Sequence, residues 1–184
     1  DVPTLDGIAF IDPRSSQVDI IQAVGRAIRK SKDKIVGTIV IPVYLGNTEN
    51  IGDELLESKF KDIWKIILAL KSQDDELTET IDRLRICMGE KGSIKNELKE
   101  LNKIIFDIPQ RINYKFIDAL KTILVTSTSE SWYEMYGQLK DYANKNGDSR
   151  PPQRDSFLGK WVSIQRINYK RNKLNDEKIQ LLEE

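Results

Sequence analysis

Apolar residues that recur at helical spacing, with breaks at glycine and proline, are the feature that most constrains how this chain folds. Between residues 60 and 123 they recur every three or four positions, as on the buried face of an amphipathic helix. Four groups are present: Phe60, Ile63, Trp64, Ile67 and Leu68; Leu77, Ile81, Leu84 and Met88; Ile94, Leu98, Leu101 and Ile105; Ile112, Phe116, Leu120 and Ile123. We predict a helix for each, with Gly89 and Gly92 ending the second, Ser93 capping the third and Pro109 breaking it. A helical bundle is favoured; a coiled-coil dimer is the alternative, although the breaks interrupt any long heptad repeat.

The first 50 residues combine strand and helix signals. Residues 7–11 and 35–45 are apolar runs bounded by turn-forming residues, which predicts two buried strands. Residues 17–30 between them have the pattern of a helix, so the segment indicates a parallel βαβ unit. Because two strands are too few for a stable open sheet, we expect residues 1–50 to be the end of a larger α/β domain.

The remaining helix signals lie in residues 131–184. Three groups follow helical spacing: Trp132, Tyr136, Leu139 and Tyr142; Leu158, Trp161, Val162 and Gln165; Ile179 and Leu182. Gly147 is placed to end the first helix in the left-handed conformation, and Asn175 to cap the third. The short polar run 125–130 predicts a linker. The predicted fold is therefore mainly α with a small α/β portion, in three parts: a truncated βαβ segment at 1–50, a helical spacer or bundle at 51–125 and a three-helix module at 131–184.

The composition excludes several kinds of active site. Histidine is absent, so the chain has no His-dependent catalytic triad and no histidine metal ligand. The single cysteine, Cys87, excludes an internal disulfide and a four-cysteine zinc site, and it suggests a reducing, cytoplasmic location. We therefore expect no metal site.

The 29 basic and 29 acidic residues balance overall, but their distribution is uneven. Residues 150–173 carry seven basic side chains and one acidic side chain, Asp155, for a net charge of +6. Such clusters bind the phosphates of nucleic acids; a solvated face without a ligand is the alternative.

One face of the first predicted helix carries Gln22, Arg26 and Arg29, at positions i, i+4 and i+7. Another face is apolar and suited to pack against the sheet: Ile21, Val24 and Ile28. Gly25 lies mid-helix, where glycine costs roughly 1 kcal/mol relative to alanine, and we expect close approach of another backbone there. Two guanidiniums and an amide suit anion recognition; an exposed basic face is the alternative.

Residues 22–29, Gln-Ala-Val-Gly-Arg-Ala-Ile-Arg, resemble motif VI of superfamily-two helicases, whose pattern is Gln-x-x-Gly-Arg-x-x-Arg. Residues 1–3, Asp-Val-Pro, resemble the end of motif V at the expected distance. The resemblance implies that residues 1–46 end the second RecA-like domain of an ATP-driven motor. It assigns catalytic and nucleotide-coupling roles to two sets of residues: Arg26 and Arg29 as fingers on the γ-phosphate; Gln22, Gly25 and Asp1 in nucleotide coupling.

The chain lacks a Gly-x-x-x-x-Gly-Lys-Ser/Thr loop and a Walker B pair. Residues 74–76, Asp-Asp-Glu, lie between predicted helices and are expected to form a solvated turn. Under the resemblance, ATP and Mg are cofactors of the full-length parent. This fragment alone is expected to bind neither and to be inactive as an NTP hydrolase.

Residues 132–182 resemble the helicase-associated domain, a small helical module found after the motor in some bacterial and phage helicases. The matching residues are Trp132, Tyr136, Leu139, Tyr142, Gly147, Pro152, the run Leu-Gly-Lys-Trp-Val at 158–162, Gln165, Arg166, Tyr169, Lys173 and Leu174. Pro151 and Asn172 depart from the family pattern, but Asn172 tolerates the left-handed turn of the usual glycine. The resemblance implies nucleic-acid binding.

The residues of this module support that role independently. Arg166, Lys170 and Lys173 are three to four positions apart, which predicts a basic stripe on the second helix, and Lys160 adds a further charge. Phosphate contacts of this kind give affinity without reading sequence. Trp161 and Tyr169 are suited to stack on bases of a single strand; core packing is the alternative.

Our leading interpretation is a C-terminal fragment of an ATP-dependent DNA helicase or translocase, which supplies arginine fingers and an auxiliary nucleic-acid-binding module. The expected partners are nucleic acid, with DNA favoured, and the upstream helicase domain of the same polypeptide, without a membrane. The alternative is a non-catalytic nucleic-acid-binding or protein-interaction module without motor activity. A Walker A loop upstream of residue 1 would distinguish them.

Overall fold

A computed structural model of the chain describes residues 7–11, 17–28, 36–42, 61–107, 114–154 and 156–184. Within these ranges the chain forms seven α-helices and a two-stranded parallel sheet, which confirms the predicted fold class, mainly α with a small α/β portion. None of these helices has both the length and the apolar character needed to cross a membrane. The chain divides into two compact units: residues 1–80 with 101–128, and residues 81–100 with 129–184. The domain boundaries predicted from the sequence remain a prediction.

The first unit contains the predicted βαβ arrangement. Strands β1 (Gly7–Ala9) and β2 (Thr38–Val40) pair in parallel, with Ile8 opposite Ile39, and helix α1 (Gln17–Ile28) connects them in sequence. The sheet is short because each strand has only three residues. This confirms the parallel pairing, but the predicted second strand is too long, since residues 36–37 and 41–42 are described and are not strand. Residues 35 and 43–45 of that prediction lie outside the described residues.

Helix α1 is held by an apolar cluster that it shares with helix α2 (Lys61–Lys71). Four of its members are buried: Ile20, Val24, Ile66 and Ala69. The face predicted for α2 is only partly correct, since Trp64 and Ile67 are buried but Leu68 is exposed. Ile66 and Ala69, outside the predicted stripe, are buried as well, because α2 contacts both α1 and helix α4 (Tyr114–Thr128).

Helix α4 extends through most of the run that was predicted as a linker. Val125 and Thr128 are buried, and the Thr128 hydroxyl donates a hydrogen bond of 2.7 Å to the carbonyl oxygen of Leu124. Lys71 Nζ donates to the carbonyl oxygen of Thr128 at 3.0 Å. The linker prediction for residues 125–128 is therefore wrong, because hydroxyl groups that are typical of loops here donate hydrogen bonds to the helix backbone.

Helix α3 (Asp75–Lys91) begins at a capped turn. The Asp74 carboxylate accepts a hydrogen bond of 3.0 Å from the N–H of Leu77, and Lys103 Nζ lies 2.8 Å from Asp74 and 2.7 Å from Glu76. Partial burial acts to raise the pKa of Asp74, but the bonds from Lys103 and from the Leu77 N–H outweigh it and lower the pKa below its usual value. The acidic run at 74–76 is thus a helix cap with its own counter-ion.

Residues 93–105, predicted as a helix, form turns and one short 3₁₀ helix, Leu98–Glu100. Three predicted core residues are buried nonetheless: Ile94, Leu98 and Leu101. Ile105 is 86% exposed. The helix prediction failed because a segment this short is helical only when packing demands it, and here the turns already bury the apolar side chains.

In the second unit, α3 meets helix α5 (Ser131–Asn146) at backbone contact distance. A Cβ on Gly89 would overlap the carbonyl oxygen of Glu134 and lie 2.9 Å from the nitrogen of Gln138. A Cβ on Gly137 would likewise overlap the carbonyl oxygen of Ile86. The prediction that Gly89 ends α3 is therefore wrong, because Gly89 lies within the helix and allows α3 and α5 to approach each other. Gly92, with φ of 70°, directly follows the end of the helix.

Charged groups beside this contact are paired between the two helices. Arg85 is buried, and its Nη2 lies 2.7 Å from Glu134, while Nε and Nη1 have no hydrogen-bond partner among the described residues. Lys140 lies 3.4 Å from Glu90. The Arg85–Glu134 pair favours this rotation of α5 against α3, because any rotation that withdraws Glu134 would leave the buried Arg85 charge unpaired.

Two further helices complete the second unit, α6 (Phe157–Lys170) and α7 (Asp176–Glu183). The hydroxyl of Ser156 accepts a hydrogen bond of 3.2 Å from the N–H of Gly159, and the Asn175 side chain accepts one of 3.1 Å from the N–H of Lys178. Gly147 ends α5 with φ of 76°. The predicted cap at Asn175 and the left-handed end at Gly147 are therefore confirmed, as are three helices in residues 131–184.

The glycine contact gives a testable difference between two alanine substitutions. Gly137→Ala is expected to lower the free energy of unfolding of the second unit by about 1–3 kcal/mol, because the new Cβ forces the helices apart. Gly25→Ala is the matched control: its Cβ would meet only Gln73 Oε1, at 3.9 Å, among the described residues, so we expect a gain of about 0.5–1 kcal/mol. Urea denaturation followed by circular dichroism measures both, and a neutral Gly137→Ala would contradict the tight contact.

Candidate nucleic-acid interface

An aromatic cluster joins α5 to α6. The Trp132 ring stacks on Tyr136, with centroids 5.6 Å apart and planes 12° from parallel, and meets Tyr133 edge-on at 5.4 Å. Trp161 of α6 lies against the same ring at 5.7 Å. Trp132 thus lies at the centre of the cluster, and half-buried Trp161 packs one side of its ring against it, as the core-packing alternative for Trp161 predicts.

Gln165 supplies the polar contact within this apolar interface. It is 7% exposed, and its Oε1 accepts a hydrogen bond of 3.0 Å from the indole N–H of Trp132. Its amide nitrogen donates to the carbonyl oxygen of Trp161 at 3.4 Å. Because the buried amide is satisfied on both sides, α6 has a defined rotation that leaves the side chains of Arg166 and Lys170 in solvent.

Helix α7 is attached to α5 by polar contacts. The Tyr133 hydroxyl donates a hydrogen bond of 2.8 Å to Glu177. Lys178 Nζ lies 2.6 Å from Glu130 and 5.4 Å from the centroid of the Trp132 ring, at cation–π distance. These contacts hold α7 against the N-terminal part of α5, although none of the residues of α7 is fully buried.

Helix α6 ends before the last residue of the predicted basic stripe. Asn172 adopts a left-handed φ of 52°, and its N–H donates to the carbonyl oxygen of Tyr169 at 3.0 Å. The N–H of Lys173 donates to the carbonyl oxygen of Asn168 at 2.9 Å, which completes a Schellman motif. The left-handed Asn172 is confirmed, but the placement of Lys173 on the second helix was wrong.

Four basic side chains of the predicted interface are exposed: Lys160, Arg166, Lys170 and Lys173. Among the described residues, no carboxylate lies within ion-pair distance of Arg166 or Lys170. Lys160 precedes Arg166 by six positions, which places it about 120° away around the helix. The structure therefore brings Arg166 and Lys170 together on one side of α6 and does not place Lys160 with them.

A groove of about 390 Å³ opens beside these two cations. Trp161, Tyr169, Arg166 and Lys170 line it from α6, and Ile179 and Leu182 line it from α7. Tyr169 is 54% exposed, so most of its ring is not used in the core. Sequence spacing could not identify this groove, because only the packing of α7 beside α6 supplies its second wall.

On α1, Gln22 and Arg26 are exposed, whereas the face that contains Val24 is buried. With Gly25 and Gln73 they border an open hollow of about 510 Å³. The close backbone approach expected at Gly25 is not seen among the described residues, since its nearest neighbour is a flexible glutamine side chain. Two further predicted site residues lie outside the described residues: Asp1 and Arg29.

Metal-ligating side chains do not form a group of three or more in the part of the chain that the structure describes. The carboxylates of Asp74 and Glu76 share Lys103 as their counter-ion.

Two tyrosines of the aromatic cluster titrate late. Burial raises the pKa of Tyr136 to about 12, and the Glu184 carboxylate at 3.4 Å acts in the same direction. Burial and the hydrogen bond to Glu177 also raise the pKa of Tyr133. An unfolded tyrosine ionises near pH 10, so the unfolded chain releases these protons first as the pH rises. The contribution of these two protonated hydroxyls to the free energy of unfolding is therefore fully present below about pH 10 and is lost as the pH rises towards 12.

This shift is measurable by ultraviolet absorbance of tyrosinate. The absorbance of the Tyr133→Phe/Tyr136→Phe variant is subtracted from that of the wild-type chain at each pH. We expect this difference to rise only well above pH 10, because Tyr136 ionises near pH 12. A difference curve centred at pH 10 would show that both hydroxyls are solvated. Circular dichroism at each pH separates ionisation of the folded chain from alkaline unfolding.

Comparison with known proteins identifies the C-terminal helices. The family model described as "Helicase associated domain" matches residues 129–184, which contain α5, α6 and α7. No curated protein matches the chain, and no solved structure does. The resemblance of residues 132–182 to the helicase-associated domain is thereby confirmed, whereas the resemblance of residues 1–46 to helicase motifs V and VI remains a prediction. Residues 129–184 thus match a helicase-associated domain, as expected in the C-terminal region of a helicase.

Proposed function

We propose that this chain is the C-terminal part of an ATP-dependent DNA helicase or translocase, in which residues 129–184 form an auxiliary nucleic-acid-binding module. The observation that carries the proposal is the pair Arg166 and Lys170, exposed and unpaired among the described residues, within the region that matches the helicase-associated domain. Unpaired cations on a fixed helix suit phosphates because binding breaks no existing ion pair. A cytoplasmic location, consistent with the single Cys87, belongs to the same proposal.

Binding of this kind depends on salt. Each phosphate that a cation neutralises releases counter-ions, and for duplex DNA the slope of log affinity against log salt is about −0.9 per phosphate. The pair Arg166 and Lys170 alone predicts a slope of about −1.8, and the addition of Lys160 and Lys173 predicts about −3.6. The measured slope therefore indicates how many of the four basic residues contact phosphate.

Charge reversal tests the module in the intact chain. Arg166→Glu/Lys170→Glu is expected to abolish binding of short single- and double-stranded DNA, measured by fluorescence anisotropy over a salt series. The matched control is Lys95→Glu/Lys99→Glu, which makes the same charge change at exposed positions of the same unit outside the family match. We expect the Lys95→Glu/Lys99→Glu control to bind DNA like the wild type and the Arg166→Glu/Lys170→Glu variant not to bind it. Absence of wild-type binding at low salt, or equal losses in the two variants, would contradict the assignment.

We further propose that α1 acts on nucleotide in the parent enzyme. Arg26, with Arg29, contacts the γ-phosphate of ATP held with Mg by another domain, and Gln22, Gly25 and Asp1 couple that nucleotide to domain closure. Exposed Gln22 and Arg26 beside the buried apolar face of α1 support this role, since these polar groups are available to another domain. The sequence given contains no Gly-x-x-x-x-Gly-Lys-Ser/Thr motif for a phosphate-binding loop. A guanidinium at this position would stabilise negative charge during phosphoryl transfer.

In a full-length protein with a motor domain, Arg26→Ala is expected to lower kcat for ATP hydrolysis on the order of 10³-fold with a smaller change in KM. Arg26→Lys keeps the charge but loses the planar fork and should recover only part of the rate. Lys65→Ala removes an exposed charge from α2 and serves as the control. An unchanged kcat in Arg26→Ala would exclude the finger role.

A second function is a module without motor activity, and the extent of the family match favours it: the match covers residues 129–184 and no part of the βαβ segment. Under this alternative the DNA-binding result above is unchanged, but the full-length protein contains no Walker A loop. The sequence upstream of residue 1 therefore separates the two proposals.

A further inference from the structure

We propose that the groove between α6 and α7 holds one unpaired nucleobase, stacked on Tyr169, while Arg166 and Lys170 bind the adjoining phosphates. The inference rests on the proposed nucleic-acid binding and adds the form of the ligand, a single strand or an unpaired nucleotide. Nothing in the family match assigns this groove to a ligand.

The walls of the groove suit a flat, mainly apolar ring. Tyr169 and Trp161 provide aromatic surface on one side, and Ile179 and Leu182 provide aliphatic surface on the other. The volume of about 390 Å³ is near the lower end of the range for small-ligand pockets, which fits one base better than a longer apolar segment. Glu183 also lines the groove and offers an acceptor for an N–H group of an unpaired base, such as N3–H of thymine.

The positions of the charges select an anionic ligand. Arg166 and Lys170 both line the groove, three residues before and one residue after Tyr169, and both are exposed. Neither has a carboxylate partner among the described residues, so their charges are available to phosphate. An aromatic wall bordered by two such cations complements the repeating unit of a nucleic-acid strand, which alternates flat bases with phosphates.

Tyr169 distinguishes a single strand from a duplex. In a duplex the faces of each base are covered by its neighbours, so a base reaches the ring only when it is unpaired or extruded. The phosphates of either form remain accessible to Arg166 and Lys170. The aromatic ring should therefore contribute to single-strand affinity alone, whereas the cations contribute to both.

The experiment compares Tyr169→Ala with three other proteins: the wild type, Tyr169→Phe and Phe157→Ala. Each is titrated by anisotropy at fixed low salt with a short oligothymidine strand and with a blunt duplex annealed from two fully complementary strands, which has no unpaired loop. We expect Tyr169→Ala to weaken strand binding about tenfold and to leave duplex binding unchanged. Tyr169→Phe keeps the ring and should bind both like the wild type. Phe157→Ala removes an aromatic ring that is 78% exposed on the same helix but outside the groove, and it should also bind normally.

The outcomes separate this inference from the proposed function. If the wild type binds neither DNA, the nucleic-acid role of the module fails, and this inference fails with it. If the wild type binds both DNAs and Tyr169→Ala binds each of them as tightly as the wild type does, the groove does not hold a base. The phosphate role of Arg166 and Lys170 then still stands. Equal loss on strand and duplex, with unchanged circular dichroism, would also overturn base stacking.

Discussion

The close approach of α3 to α5 is the constraint on which the second unit depends. Two helices reach backbone contact only where side chains are absent, and Gly89 and Gly137 meet that condition from opposite sides. At this distance Arg85 reaches Glu134 across the interface, so packing and charge pairing fix the same arrangement. The unit consequently includes residues 81–100, although the family match begins at residue 129. The helicase-associated region of this protein is supported by a helix from outside its own boundaries.

From α5 the structure of the interface follows by contact. Trp132 holds α6 through Trp161 and Gln165, and it receives Lys178 of α7 over its ring. The buried polar group of α6, Gln165, is satisfied within the unit, whereas Arg166 and Lys170 near the C-terminal end are exposed and form no ion pair among the described residues. One face of α6 is thus used for packing, and its basic C-terminal end is available to bind a ligand. Helix α7 supplies the second wall of the groove at that end.

Sequence reasoning succeeded where the structure depends on local chemistry. The cap at Asn175 and the left-handed Gly147 follow from residue type and spacing within a few positions. The parallel pairing of β1 with β2 follows from the order strand, helix, strand along the chain. It failed where two local solutions were close in free energy. Residues 93–105 bury their apolar side chains through turns rather than a helix, and residues 125–128 use their hydroxyls inside α4 rather than in a linker. The exposed Arg166 and Lys170 could be predicted, whereas the groove beside them could not.

The sequence by itself determined the helical character of the chain, the βαβ order, the caps and the basic segment at 150–173, because each of these depends on neighbours along the chain. Only the tertiary structure decided what Gly89 does, which residues support the matched region and which aromatic ring remains available. Gly89 has the local signature of a helix end, and contact with α5 alone reveals it as a packing position. Trp161 and Tyr169 lie eight positions apart on one helix. Trp132 covers the first, and the second remains half exposed because the cluster does not reach it.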